Sequence, residues 1–232
     1  MQDVPPTPPG EDGAGVTRLT QRGLARGEQL LAQATALFLQ HGYAGVSVDE
    51  IVKTVGGSKT NVYRQFGGKE GLFMAVIQAL CSDFLQGFRQ LEVQQMPLSD
   101  GLRLLGLTLL RQLVDERHVA FQRLVIAESG RFPALSQTWF VAGPQQTRLF
   151  VARFLAVRQG LDAAQAGQCL QAATLFHDML VFNPVHLALL GQGPDAPALE
   201  RHVKAVVQLF VSGWRPAAEV LQPPSSTSQG TP

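Results

Sequence analysis

Side chains that donate hydrogen bonds are concentrated near the start of the chain, between glycines at 56–57 and 67–68. The donors are Ser58, Lys59, Thr60, Asn61, Tyr63 and Arg64, and Lys69 follows the second glycine pair. Donors of this kind bind phosphate oxygens and the edges of bases. Because the stretch has no paired carboxylates and no metal-ligand spacing, it indicates binding to a nucleic acid rather than catalysis.

Residues 47–69 predict two short helices that would hold these donors in place. Ser47 and Glu50 match a capping box, and the aliphatic residues that follow recur at spacings of three and four, which gives one apolar face. The glycines at 56–57 permit a sharp turn, and Ser58 is a second N-cap. A second helix with few apolar anchors and many donors fits the major groove of DNA.

The same pattern also fits an ordinary helical hairpin with solvated polar faces, because motifs of this kind have a real false-positive rate. The neighbouring segments favour the helix-turn-helix. Residues 26–41 form one amphipathic helical pattern that ends at Gly42, and a longer helical pattern begins at Lys69. The predicted order is therefore a helix, a helix-turn-helix and a connecting helix.

The individual residues of this region form a specific pattern between positions 22 and 80. Its members are Ala36, Leu37, Phe38, His41, Gly42, Tyr43, Ser47, Val48, Ile51, Gly56, Ser58, Lys59, Val62, Tyr63, Phe66, Lys69, Glu70 and Leu72. The pattern resembles the DNA-binding domain of the tetracycline-repressor (TetR/AcrR) family of bacterial regulators. Two positions depart from the family: Gly57 replaces a small apolar residue, and Gly68 replaces the usual Ser or Asn cap. Residues 123–144 resemble, more weakly, the C-terminal domain of one branch of the family.

The resemblance implies a DNA-contact role for eight residues. Thr60, Asn61 and Arg64 are predicted to contact base edges. Lys59, Tyr63 and Lys69 are predicted to contact phosphates. Ser47 and Ser58 are predicted to contribute through the N-termini of their helices, which attract anions.

Composition agrees with a small DNA-binding module joined to a larger domain. The chain has 232 residues, 45% of them hydrophobic, and a net charge of +1, so it is not a uniformly basic nucleic-acid coat protein. Residues 18–70 hold seven Lys or Arg against four Asp or Glu. We predict an all-α protein with a disordered tail at 1–17 and an N-terminal three-helix helix-turn-helix DNA-binding domain at 18–68. A larger C-terminal helical ligand-binding and dimerisation domain follows at 69–215, and a second disordered tail at 216–232.

The second domain shows helical patterns near 99–116, 119–129, 134–158, 163–190 and 197–214, and no alternating strand pattern. No cofactor and no metal site is predicted. Cys81 and Cys169 are expected to be buried, reduced thiols. The apolar run at 102–114 is too short to span a bilayer, and the N-terminus lacks a signal-peptide core. The protein is therefore predicted to be cytoplasmic, without a membrane partner.

Apolar stripes on the last two helical patterns predict a homodimer, because the family pairs these helices with their symmetry mates. The predicted interface residues are Cys169, Ala173, Leu180, His202, Val206 and Phe210. The alternative is that both stripes pack inside one chain. A dimer would place two recognition helices about 34–36 Å apart, which matches a pseudo-palindromic operator.

Aromatic residues with scattered polar neighbours in the middle of the domain predict a small-molecule pocket. Its candidate residues are Phe121, Trp139, Phe140, Phe176 and His177. The alternative is that each of these aromatic side chains is ordinary core.

These patterns together predict a DNA-binding transcriptional regulator. It would be a repressor that a small apolar or amphipathic ligand releases from a double-stranded DNA operator. By family resemblance, the ligand shifts the connecting helix that begins at Lys69. Two alternatives stay open: a helical DNA-binding protein without a small-molecule effector, and an enzyme that uses the C-terminal cavity. The enzyme is disfavoured because the sequence shows no nucleophile elbow and no phosphate-binding loop.

Overall fold

The computed structural model describes residues 21–161, 167 and 169–214, and within these ranges it is helical with no strand. The helices are α1 (Gln21–His41), α2 (Val48–Val55), α3 (Lys59–Phe66), α4 (Lys69–Arg89), α5 (Leu98–Leu113), α6 (Glu116–Glu128), α7 (Pro133–Ala142), α8 (Pro144–Arg158), α9 (Leu170–Leu189) and α10 (Ala196–Gly213). The predicted all-α fold is confirmed. The tails predicted at 1–17 and 216–232 lie outside the described residues.

Helices α2 and α3 form the predicted helix-turn-helix, with the predicted caps at their ends. The Ser47 Oγ accepts the Glu50 backbone N–H at 3.1 Å, and the Ser58 Oγ accepts the Asn61 N–H at 3.3 Å. Gly56 ends α2 with φ of +67°, a left-handed conformation that favours glycine. The turn between the two helices is therefore encoded locally.

Gly68, one of the two departures from the family pattern, has a structural reason. Its φ is +113°, which L side chains rarely adopt, and it precedes α4 without a side-chain cap. A Cβ at this position would lie 3.1 Å from Cε1 of Tyr63, closer than nine in ten real Cβ contacts. The glycine therefore lets the Tyr63 ring pack against the backbone where α3 meets α4.

Two buried clusters form the core, and α4 contributes to both. One cluster joins α1, α2, α3 and the first part of α4 to α6 and α7, through residues such as Phe73, Phe121 and Leu135. The other joins the end of α4 to α5, α8, α9 and α10. Helix α4 packs in both clusters, so the core does not divide at residues 68 and 69. The domain boundary there stays a prediction.

The predicted single helix at 134–158 is wrong, because the structure contains two helices there. Helix α7 ends at Ala142, Gly143 adopts φ of −115° and ψ of −89°, and α8 begins with Pro144. Proline lacks the N–H that would continue the hydrogen-bond ladder, and it is well suited to the first turn of a helix. Of the pattern at 163–190, α9 accounts for Leu170–Leu189, whereas residues 162–166 and 168 lie outside the described ranges.

Helix α4 is long and apolar enough to cross a bilayer by length and composition alone. Residues including Leu72, Val76, Ile77 and Leu85 are nevertheless buried inside the protein. The apolar character of α4 follows from its place in both core clusters.

Candidate nucleic-acid interface and effector cavity

The predicted DNA-contact residues lie on the outer side of the helix-turn-helix. Val62 is fully buried and fixes the inner side of α3, while the Tyr63 side chain is 60% exposed. Asn61 and Lys69 are partly buried, and the other predicted contacts are exposed: Ser47, Ser58, Lys59, Thr60, Tyr63 and Arg64. The structure therefore leaves most of these donors accessible to a large ligand.

Two of the exposed cations are already held by neighbouring side chains. The Arg64 guanidinium donates a hydrogen bond to the Asn61 Oδ1 at 3.0 Å, one helical turn away. The Lys59 Nζ lies 2.9 Å from the Asp49 Oδ2 on α2, and this hydrogen bond raises the pKa of Lys59. Both contacts orient the cations before any ligand is bound.

Lys69 differs from the other predicted contacts because its ammonium packs on an aromatic ring. Its Nζ lies 4.2 Å from the centre of the Tyr43 ring, and the Arg131 guanidinium lies 4.9 Å from the same ring. Burial lowers the pKa of Lys69, and the nearby charge of Arg131 adds to this effect. Lys69 therefore lies where the DNA-binding helices meet the loop between α6 and α7.

An aromatic contact also joins these two parts of the chain. The Phe132 ring, directly before α7, lies 4.8 Å from the Tyr43 ring and 5.8 Å from the Phe73 ring. Tyr43 and Phe73 belong to the core beneath the helix-turn-helix. The start of α7 therefore rests on the packing that positions α3.

A narrow cavity of about 30 Å³ lies among α4, α5, α6, α7, α8 and α9, next to an open groove of about 220 Å³. The two share the rings of Phe84, His118 and Phe121. The ring centres are 4.8 Å apart for Phe84 and His118, and 5.5 Å apart for His118 and Phe121. These three rings form a common wall between the surface groove and the interior.

Three of the five predicted pocket residues line the inner cavity: Phe121, Trp139 and His177. Phe140 instead lies 39% exposed beneath Arg148. Phe176 is buried in the core, 5.1 Å from the Phe210 ring, and is not among the residues that line this cavity.

Sequence reasoning missed several other residues at this site. Cys81 and Thr147 line the cavity, and Gln112 lines the groove. In the sequence, these residues stand out only as polar positions within apolar helical patterns. Such a position does not reveal whether its side chain faces a cavity or solvent.

The titratable groups at the cavity are uncharged at neutral pH. Burial lowers the pKa of His118 to about 4, although the charge of Asp115 opposes the shift. Burial also lowers the pKa of His177, which the hydrogen bond to Asp178 offsets only in part. Burial raises the pKa of the Cys81 thiol to about 11. Within the described ranges, no group of three or more His, Cys, Asp or Glu side chains is arranged to hold a metal ion.

Most of the residues predicted for the dimer interface pack inside this chain. Five of the six residues are buried in the α5–α8–α9–α10 cluster: Cys169, Ala173, Leu180, Val206 and Phe210. The sixth, His202, is half-buried, and its Nε2 lies 2.9 Å from the Leu180 carbonyl oxygen. Helical spacing cannot distinguish a stripe that packs within a chain from one that packs between chains.

Four large apolar side chains on the same two helices are exposed. Leu175, Met179 and Phe182 follow one another on α9 at spacings of four and three, and Phe182 is 74% exposed. Leu209 on α10 is 66% exposed. We call these four residues the outer stripe. Side chains this large and apolar are typical of a surface that another protein covers.

Two family models match the chain, one over each region. Residues 30–76 match the model of bacterial regulatory proteins of the tetR family. Residues 100–216 match the model of the AefR-like transcriptional repressor, C-terminal domain. The helix-turn-helix and most of the remaining helices therefore fall within the two matches.

Individual relatives agree with the family models. The HTH-type transcriptional regulator TcmR of Streptomyces glaucescens is 31% identical over 168 residues, which cover 69% of this chain and 71% of the relative. A solved TetR-family regulator from Mesorhizobium loti is 28% identical with a TM-score of 0.72, covering 83% of this chain and 98% of the other. The flavonoid-responsive regulator FrrA has the same identity and coverages, with a TM-score of 0.69.

Proposed function

This chain belongs to the TetR family of bacterial DNA-binding transcriptional regulators, and from that premise we propose that it is a homodimeric repressor released by a small molecule. The observation that carries the proposal is the placement of α7. One end of this helix meets the DNA-binding core at Phe132, and the other meets the cavity at Trp139. A ligand that displaces Trp139 would therefore move α7 and, through Phe132, the DNA-binding core.

In this proposal α3 reads the operator in the major groove. Thr60, Asn61 and Arg64 contact base edges, and the Arg64–Asn61 hydrogen bond orients the pair for this purpose. Lys59 and Tyr63 bind phosphates, with Ser47 and Ser58 marking helix N-termini that also attract them. Lys69 also binds phosphate, through the side of its ammonium that the Tyr43 ring does not cover.

The proposed dimer forms through the outer stripe rather than through the buried face. Covering Leu175, Phe182 and Leu209 removes large apolar side chains from water, which is the main driving force for association. A two-fold arrangement places two α3 helices on successive turns of a pseudo-palindromic operator.

Release requires that the ligand prefer the conformation that does not fit DNA. Couplings of this kind are typically about 1–3 kcal/mol. A ligand that displaces Trp139 moves α7, and Phe132 transmits the movement to Tyr43 and Phe73 beneath the helix-turn-helix. Helix α4 provides a second route, because it contributes to both core clusters.

One family model supports the sign of regulation, and one solved neighbour supports the kind of effector. The model that matches residues 100–216 describes a repressor domain, and FrrA is named as flavonoid-responsive. We therefore propose repression with an aromatic effector, in the cytoplasm and without catalysis.

The test is selection of genomic DNA fragments by the purified full-length protein, followed by release with small molecules. The proposal expects enrichment of one pseudo-palindromic sequence and its release by at least one aromatic compound. Enrichment without release by any compound would favour a DNA-binding protein that has no effector. Chemical conversion of the added compound would instead favour an enzyme.

A further inference from the structure

Building on the proposed function, we infer that the cavity takes an uncharged, flat aromatic molecule with hydroxyl groups at both ends. Each hydroxyl would donate a hydrogen bond to an acceptor that the protein leaves unpaired, one in the inner cavity and one at the surface groove. The acceptors are the Nε2 of His177 and the Oε1 of Gln112.

The acceptor role of His177 follows from its neighbours. Its Nδ1 lies 3.0 Å from the Asp178 Oδ1, and the Arg148 guanidinium donates to the same oxygen at 2.8 Å. Although burial opposes it, these two hydrogen bonds lower the pKa of Asp178, which is therefore a carboxylate. The Nδ1 of the neutral imidazole must carry the proton that bonds to it, so the Nε2 carries a lone pair.

No hydrogen bond to the Nε2 of His177 occurs among the described residues, and His177 lines the inner cavity. A neutral imidazole nitrogen beside a cavity can still accept a partner. A donor from a bound molecule would supply one.

Gln112 provides the second acceptor, which lies buried beside the groove and which a ligand must uncover. Its Oε1 is buried and has no hydrogen-bond partner within the part of the chain that the structure describes. Gln112 lines the open groove, which shares three rings with the inner cavity. A molecule that reaches from the groove to His177 must therefore pass along Phe84, His118 and Phe121.

These rings select a flat body. Aromatic rings pack favourably in offset or edge-to-face arrangements, as Phe84, His118 and Phe121 already do with one another. Trp139 adds a further aromatic wall on the inner side. Since the inner cavity holds only about 30 Å³, a ring can enter only if lining side chains move, and Trp139 is the one of them that belongs to α7. Binding is thereby linked to displacement of α7.

The charges at the site disfavour an anion. Asp83 and Asp115 are exposed carboxylates that line the groove, and Arg117 is the one cation among its lining residues in the described chain. His118 is neutral at physiological pH and provides no positive charge. A carboxylate ligand has only acceptor oxygens and could not donate to the two protein acceptors. An ammonium ligand would lose its hydration on burial.

The test compares three biphenyls that share one flat body, by calorimetric titration of the full-length protein without DNA. The probes are 4,4′-dihydroxybiphenyl, 4,4′-dimethoxybiphenyl and biphenyl-4,4′-dicarboxylate. We expect the dihydroxy compound to bind at least about tenfold more tightly than the dimethoxy compound, because only the former donates hydrogen bonds to buried acceptors. The dicarboxylate is expected to bind most weakly.

Two variants test the two acceptors. Gln112→Leu and His177→Phe should each weaken the dihydroxy compound about tenfold while leaving the dimethoxy compound unchanged. Gln78→Leu changes an exposed glutamine on α4 and is the matched control. Circular dichroism and thermal unfolding check that each variant folds. If His177→Phe does not fold, Gln112→Leu alone decides the outcome.

Three results would overturn the inference: equal binding of the dihydroxy and dimethoxy compounds, tightest binding of the dicarboxylate, or no binding of any probe. Each would leave the regulator intact if the protein still selects one operator sequence. Failure of that selection would instead count against the proposed function, whatever the biphenyls do.

Discussion

Arg64 and Asn61 lie one turn apart on the exposed face of α3 and are joined by a 3.0 Å hydrogen bond. A planar guanidinium held in this way is oriented before DNA arrives. It can then contact a guanine through two hydrogen bonds without first losing the freedom of a long side chain.

We expect Arg64→Ala to remove preference for particular bases rather than affinity in general. The loss should be about 1–3 kcal/mol at specific operator positions, measured by titrating operators that carry single base-pair changes. Arg201→Ala removes an exposed arginine from α10 and is the control. A uniform loss across all sequences would move Arg64 to the phosphate contacts.

His118 links stability to pH through its burial. Its pKa is about 4 in the folded chain against an ordinary value of 6.5, so the unfolded chain binds more protons between these limits. Stability therefore falls as pH drops from about 6.5 towards 4, and it is fully retained above that window.

We expect His118→Phe to reduce this loss by up to about 3 kcal/mol, measured by urea unfolding from pH 7 to pH 4. Phenylalanine keeps a ring beside Phe84 and Phe121 but does not titrate. His41→Phe, at an exposed imidazole, is the control. Parallel pH profiles for wild type and His118→Phe would contradict the prediction.

Helix α7 has only ten residues but contacts both the DNA-binding core and the cavity. Its start packs on the DNA-binding core through Phe132, and its later residues line the cavity through Trp139. We expect Phe132→Ala to leave effector affinity nearly unchanged but to make release from DNA about tenfold less sensitive to effector.

This prediction is checked by fluorescence anisotropy of labelled operator during effector titration. Phe140→Ala removes an exposed ring from the same helix and should leave release unchanged. Equal sensitivity of Phe132→Ala and wild type would exclude Phe132 from the route.

The elements differ in how much of them the sequence could predict. The helix-turn-helix was predictable because Ser47, Gly56 and Ser58 encode its caps and turn within a few residues. The division of 134–158 was missed because the surrounding apolar spacing continues across Gly143 and Pro144. In the groove, only the tertiary fold brings Gln112 on α5 near rings from α4 and α6.

For the whole molecule, the main question at the surface is which face of α9 and α10 meets a second copy. Burial assigns Phe210 to the core of one chain, and a charge there should therefore unfold the protein instead of producing a folded monomer. The outer stripe is the face that remains exposed.

We expect Phe182→Glu to yield folded monomers in light scattering and to weaken operator binding, because a dimer contacts two half-sites. Ile126→Glu places the same charge at an exposed apolar position on α6 and should leave the dimer intact. An unchanged molar mass for Phe182→Glu would exclude the outer stripe as the interface.

The short span of α7 also limits how this protein can evolve. Each inserted residue would lengthen the helix by about 1.5 Å and rotate everything after it by about 100°. Phe132 and Trp139 would then no longer face their partners together, even if every side chain were retained. Descendants of this chain should therefore change the chemistry of the cavity freely by substitution, while insertions and deletions accumulate in the loops and the residue count of α7 stays fixed.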